Sequence, residues 1–73
     1  MRVAYGFLKP NIILHNPNVV FDWSFNCPLD VDHTSGKTWP GSVEVKHIFK
    51  ELGLSGWIFC GKDDVTYCFY KEF

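Results

Sequence analysis

Val45, Ile48, Phe49 and Leu52 stand at i, i+3, i+4 and i+7, a spacing that puts all four on one side of a helix. Glu44, Lys46, His47, Lys50 and Glu51 fill the other side. The pattern predicts a helix over 43–52. Ser42 is placed to cap it, because its side-chain oxygen can accept a bond from a free N–H of the first turn. Glu44 then meets the positive end of the helix dipole, and Gly53 is the candidate for the left-handed position after the last turn. This helix constrains the fold more than any other feature, because one apolar stripe covers only one face of one sheet.

The remaining apolar segments read as strands. In 2–9, Val3, Tyr5 and Phe7 alternate, Gly6 weakens the strand, and Pro10 is expected to end its ladder because it has no N–H to donate. A short apolar stretch over 12–15 is interrupted by Asn16-Pro17, a turn-initiating step. The strand expected over 18–25 puts Val19, Phe21, Trp23 and Phe25 on one face and Val20, Asp22, Ser24 and Asn26 on the other. Residues 27–41 contain Pro28, Asp30, Asp32, Ser35, Gly36 and Trp39-Pro40 and read as one long loop.

Residues 56–71 read as a C-terminal hairpin turning at Gly61-Lys62-Asp63-Asp64. If Gly61 pairs with Asp64, then Ile58, Cys60, Val65, Tyr67 and Phe69 share one face and Trp57, Phe59, Thr66, Cys68 and Tyr70 the other. Both faces are apolar. The fold expected for residues 1–73 is therefore α+β: a small two-layer domain of antiparallel strands with one main amphipathic helix and a C-terminal β-hairpin.

Composition narrows the function classes. The chain has 73 residues, which allow one core; 47% are hydrophobic and 18% aromatic. A chain this short buries only about 60% of the surface its unfolded form exposes, so some of its large rings are expected at the surface. Net charge is −1, from seven basic and eight acidic side chains. That balance lacks the basic stripe from which backbone binders of nucleic acid draw their affinity. Residues 1–9 have no apolar run of signal-peptide length, and no apolar run approaches a membrane span. The odd count of cysteines, Cys27, Cys60 and Cys68, implies reduced thiols and a cytoplasmic setting.

Constellations for chemistry are sparse. His15, His33 and His47 with the three cysteines lack the close C-x-x-C and H-x-x-x-H pairs of zinc sites, so a zinc-dependent fold is the third reading and buried thiols the expected role. Asp30-Val31-Asp32-His33 lacks the glycine and terminal glutamate of a calcium loop and reads as turn chemistry. No phosphate loop and no nucleophile or metalloprotease motif occurs. The chain is expected to be no enzyme and to need no cofactor or metal.

Two binding readings follow. Tyr5, Phe7, Trp23, Trp57 and Tyr70 offer stacking surfaces for unpaired bases, with Lys46, His47 and Lys50 as the basic cluster of a small nucleic-acid-binding regulator. Asp63 and Asp64 at the hairpin turn oppose it. The leading reading is a non-enzymatic protein-binding module, because interfaces are anchored by aromatic side chains with few charges at the centre. Its expected partner-binding residues are Trp57 and Tyr70 on the outer hairpin face, Trp39 in the long loop, and Asp63 and Asp64 at the turn. A sheet edge could also accept a strand from the partner.

In general character the chain is short, aromatic-rich, reduced in its cysteines and without catalytic motifs. It resembles the small host-takeover proteins of lytic bacteriophages. The resemblance is one of type and carries no residue positions. It implies an inhibitor or modulator of host RNA polymerase, regulating transcription in the host cytoplasm; the chain itself is expected to be a monomer.

Overall fold

A computed structural model of the chain describes residues 2–14, 19–29 and 32–73. His15, the Asn16-Pro17 step, Asp30 and Val31 lie outside the described residues. In chain order the elements are β1 (Val3–Leu14), β2 (Val19–Asn26), β3 (Lys37–Pro40), α1 (Val45–Leu54), β4 (Ile58–Asp63) and β5 (Thr66–Glu72). All five strands form one antiparallel sheet in the order β3-β2-β1-β5-β4. With α1, the one helix among the described residues, on one face, the protein is a two-layer α+β fold with a C-terminal hairpin.

β1 passes through Pro10 instead of ending there, and the backbone geometry shows why. Arg2 and Phe73 exchange both backbone bonds, Arg2 N–H to Phe73 C=O and Phe73 N–H to Arg2 C=O, each at 2.9 Å. Such bonded pairs alternate along an antiparallel ladder. The even residues of β1 therefore aim their peptide groups at β5 and the odd ones at β2. Pairing with β5 stops at Leu8 opposite Tyr67, while pairing with β2 runs on to Leu14. The N–H that Pro10 lacks falls on the side where β5 has already ended, so the β1–β2 ladder is intact.

The inner face of the sheet carries Ala4, Leu8, Phe25, Trp39 and Phe69, and α1 lays Ile48 and Leu52 against them. Rings meet edge to face or tilted: Phe25 and Trp57 at 4.9 Å, Phe49 and Phe69 at 5.0 Å, Phe49 and Phe59 at 5.2 Å. Such geometry adds about 0.5–1.5 kcal/mol per pair beyond area burial. Gly6 lies beneath the Phe25 ring, and a Cβ there would sit 2.1 Å from Phe25 Cζ. The glycine that weakens the strand locally is what lets the central ring reach the sheet.

The helix is displaced from its expected ends. Glu44, not Ser42, holds the N-cap position and makes no side-chain capping bond. Ser42 is used in the turn that leaves β3, where the Val43 N–H donates to the Pro40 carbonyl at 3.0 Å. At the other end Gly53 stays helical, and Gly56, at φ 93, takes the left-handed position. Trp57 N–H donates to Leu52 C=O and Gly56 N–H to Gly53 C=O, each at 3.0 Å. Those two bonds are a Schellman closure, in which the residue after the left-handed glycine packs back on the helix. Trp57 is consequently only 3% exposed, which corrects its placement as a surface anchor.

Residues 27–41 are not all loop. Lys37–Pro40 is an edge strand in which Trp39 pairs with Trp23. Trp39 is 6% exposed, and its indole N–H donates to Glu51 on the helix at 2.8 Å. Lys37 meets the same carboxylate at 3.3 Å. The bond from Trp39 and then that from Lys37 hold Glu51 below the usual glutamate pKa. Trp39 therefore ties the sheet edge to the helix and is not a loop anchor.

The hairpin also differs in register. Asp63 pairs with Thr66, so the turn is Asp64-Val65, with Asp64 at φ 55. A bulge between Phe59 and Gly61 adds a residue to β4, and such an extra residue shifts the alternation. Phe59 consequently joins Tyr67 and Phe69 against Phe49 on the inner face, and Ile58 goes outward. The expected assignments of Ile58 and Phe59 are exchanged.

Candidate protein-docking surface

The outer face of the sheet has no layer upon it among the described residues. Tyr5 stands opposite Tyr70, and Tyr70 opposite Ile58 on its other side; Phe7 stands opposite Cys68, and Val3 opposite Glu72. Alternation puts all of these on the face away from α1. Tyr5 is 57% exposed, Ile58 49%, Val3 42% and Phe7 38%; Tyr70 and Cys68 are half-buried. A row of aromatic and aliphatic groups thus crosses three adjacent strands in solvent. Exposed apolar groups that are contiguous, unlike scattered ones, mark interaction surfaces.

The charges on this face lie toward its periphery. Lys9, Asp22, Asp63 and Glu72 share it by register, one base against three acids. The Asp22 Oδ1 and Ser24 Oγ atoms are shut from solvent without a hydrogen-bond partner. An unpaired buried hydroxyl costs stability, whereas an apolar group of the same shape does not. Ser24→Ala is expected to raise stability by up to about 1 kcal/mol, read as a higher urea midpoint at unchanged slope.

Of the residues singled out from sequence, Tyr70 lies on this face and Asp63 and Asp64 are exposed at the hairpin tip beside it. Trp57 and Trp39 are brought instead to the inner layer. Lys46, His47 and Lys50 are exposed on the helix, away from the aromatic face, and Lys46 is paired with Glu44 at 3.1 Å. Tyr5, Phe7 and Ile58 are surface residues of this face beyond the anchors expected on the hairpin. The alternation of Val3, Tyr5 and Phe7 is visible in the sequence, but not the glycine-and-alanine face that turns these side chains outward.

One end of the inner layer is closed by a charged junction. Asp32 Oδ2 accepts bonds from the Trp57 indole at 3.2 Å and from Lys71 Nζ at 2.6 Å, and Oδ1 accepts the Thr34 N–H at 3.1 Å. Lys71 also donates to the Ser55 carbonyl at the helix C-terminus, where a cation is favoured, and sits 5.9 Å from the centre of the Trp57 ring. Burial pushes the Asp32 pKa up, but the bonds from Lys71 and Thr34 outweigh it and hold the carboxyl below its usual value. The role of this carboxylate is structural, since it fixes Trp57 inside.

Cys27 is buried, Cys60 exposed and Cys68 half-buried, all as free thiols. Among the described residues no group of His, Cys, Asp and Glu is arranged to hold a metal ion, and no helix is long and apolar enough to cross a membrane. No protein-family model, no curated protein and no solved structure matches this chain.

Proposed function

We propose that the chain is a non-enzymatic protein-binding regulator that docks through the outer face of its sheet. The observation that carries this reading is the row Tyr5, Tyr70 and Ile58 with Phe7 beside it, uncovered among the described residues, while the described helix packs Ile48 and Leu52 on the opposite face. Its anatomy is that of an interface, with rings at the centre and charge at the rim. Because the rim is acidic, the matching partner is a folded protein with an apolar patch bordered by basic side chains. The acidic rim also disfavours phosphate, so the stacking rings fit a protein better than a nucleic acid. Host RNA polymerase is the specific candidate, on the strength of the resemblance to phage takeover proteins.

The test is co-migration of the purified protein with bacterial RNA polymerase on a sizing column, compared with Tyr5→Ala and Ile58→Ala. Truncating an interface anchor costs about 2 kcal/mol or more, roughly a 30-fold loss of affinity, and the variants should keep the wild-type circular dichroism. Undiminished binding by both folded variants would remove the outer face from the proposal. Failure of the wild type to co-migrate would remove the polymerase. A salt-sensitive shift of DNA or RNA that depends on Lys46, His47 and Lys50 would instead establish the nucleic-acid reading.

A further inference from the structure

β1 is longer than β5 beside it, and among the described residues its overhang is unpaired on one side. Beyond Leu8 no described strand pairs with the β5 side of β1. The even residues aim at that side, as the Arg2–Phe73 exchange fixes, so the vacant edge presents the N–H groups of Ile12 and Leu14 and the carbonyls of Pro10, Ile12 and Leu14. Directly beside it, on the inner face, is an open groove of about 360 Å³ lined by the apolar groups of Pro10, Ile12, Phe21, Trp23, Val65 and Tyr67 and, on its hairpin side, by Lys62, whose ammonium lies over the Tyr67 ring. Ile12 is 65% exposed at its border.

We propose that this edge pairs with the same edge of a second copy, giving a two-fold antiparallel dimer in which two five-stranded sheets become one. Three observations favour this occupant. First, the edge is self-complementary. An antiparallel pairing about a two-fold axis at Ile12 or Ile13 lets both N–H groups of each copy find a carbonyl of the other, and the donor missing from Pro10 is not needed. Second, residues near such an axis meet themselves, so any charge there would be repelled by its own copy. Residues 10–14, Pro-Asn-Ile-Ile-Leu, contain none, although natural open edges are commonly guarded by charged residues. Third, the edge and the groove adjoin at the same exposed side chain, Ile12, so a pairing centred on Ile12 would set the second copy's Ile12 beside it at the groove's border. Joining edges leaves the outer faces free and side by side, so the dimer is compatible with docking through Tyr5 and Tyr70 and does not rest on it.

Sedimentation equilibrium of the full chain over a concentration series tests the dimer. The wild type is expected to reach twice its 8.5 kDa chain mass. Ile12→Pro removes only the N–H aimed at the vacant edge and leaves the β1–β2 ladder untouched, so it should halve that mass while keeping the native circular dichroism. Ile12→Lys, which sets like charges against each other across the axis, is the second variant should the proline fail to fold, with the same expected halving. A wild type that stays at the single-chain mass into the millimolar range overturns the proposal, even if a foreign apolar peptide then binds the groove. A dimer that persists in a folded Ile12 variant also overturns it, since association then runs through another surface.

Discussion

Gly6→Ala is expected to cost about 3 kcal/mol, the upper end for forcing extra volume into a packed core. A chain of this size has roughly 4–11 kcal/mol of total stability, so the variant should be markedly less stable or unfolded. The added methyl would sit 2.1 Å from Cζ and 2.8 Å from Cε1 of Phe25, distances at which one group must leave. Phe25 has no easy retreat. It is fully buried and its ring packs on both Trp57 and Phe69. Removing that ring alone, Phe25→Ala, should cost about 3–5 kcal/mol. The two positions are in contact, so their effects should not add: in the Gly6→Ala background, Phe25→Leu vacates the contested space and should recover part of the loss. Urea melts of the four proteins measure this, and a neutral Gly6→Ala would mean that the ring does not rest on the central strand.

Asp32→Ala is the second large effect, at about 2–3 kcal/mol, because it leaves the buried Trp57 N–H without its acceptor and the Lys71 ammonium without its counter-charge, with only the Ser55 carbonyl remaining to it. The Asp32 and Lys71 side chains are 19% and 20% exposed, so the pair is shielded well beyond an ordinary surface bridge. Three separate pieces of chain lose their common attachment: the loop before β3, the end of α1, and β5. The acid dependence follows from the direction of the shift. Burial raises the Asp32 pKa, the bonds from Lys71 and Thr34 lower it further, and the folded value lies below the unfolded one near 3.8. The contribution of ionised Asp32 is therefore complete above the unfolded pKa and disappears as pH falls through the lower folded pKa. Urea midpoints from neutrality into strong acid should show the gap between wild type and Asp32→Asn narrowing over that window. A gap that is constant with pH would mean that the ionised carboxylate stabilises nothing. Lys71→Met should show the same narrowing, since it removes the cation that holds the pKa down.

What sequence could reveal here was set by the range of the interaction responsible. The stripe of Val45, Ile48, Phe49 and Leu52 is local, and it correctly gave a helix that packs on a sheet. Its ends were misplaced because Ser42 was taken by the turn out of β3 and because Gly56, not Gly53, carries the closing conformation. The burial of Trp57 follows from that closure and from Asp32, which lies 25 residues away and has no signature of its own. Lys37–Pro40 has no strand signature in the sequence, because a four-residue edge strand ending in proline has too few positions to show alternation. Pro10 misled because the cost of a missing N–H depends on which neighbour it faces, a property of the assembled sheet. The bulge at Phe59 and Gly61 exchanged Ile58 and Phe59 between faces for the same reason. The excess of aromatic residues was legible throughout, but deciding which of them stay outside required the register of β1 against β5.

The claim on which the functional account rests is that Tyr5 and its neighbours, rather than the tryptophans, meet the partner. Covalent footprinting of aromatic side chains, free and with partner bound, tests it most directly. Tyr5 should be labelled strongly in the free protein and lose that labelling in the complex, with little reaction at Trp39 and Trp57 in either state. Labelling of Tyr5 that is unchanged when the partner is bound would contradict it.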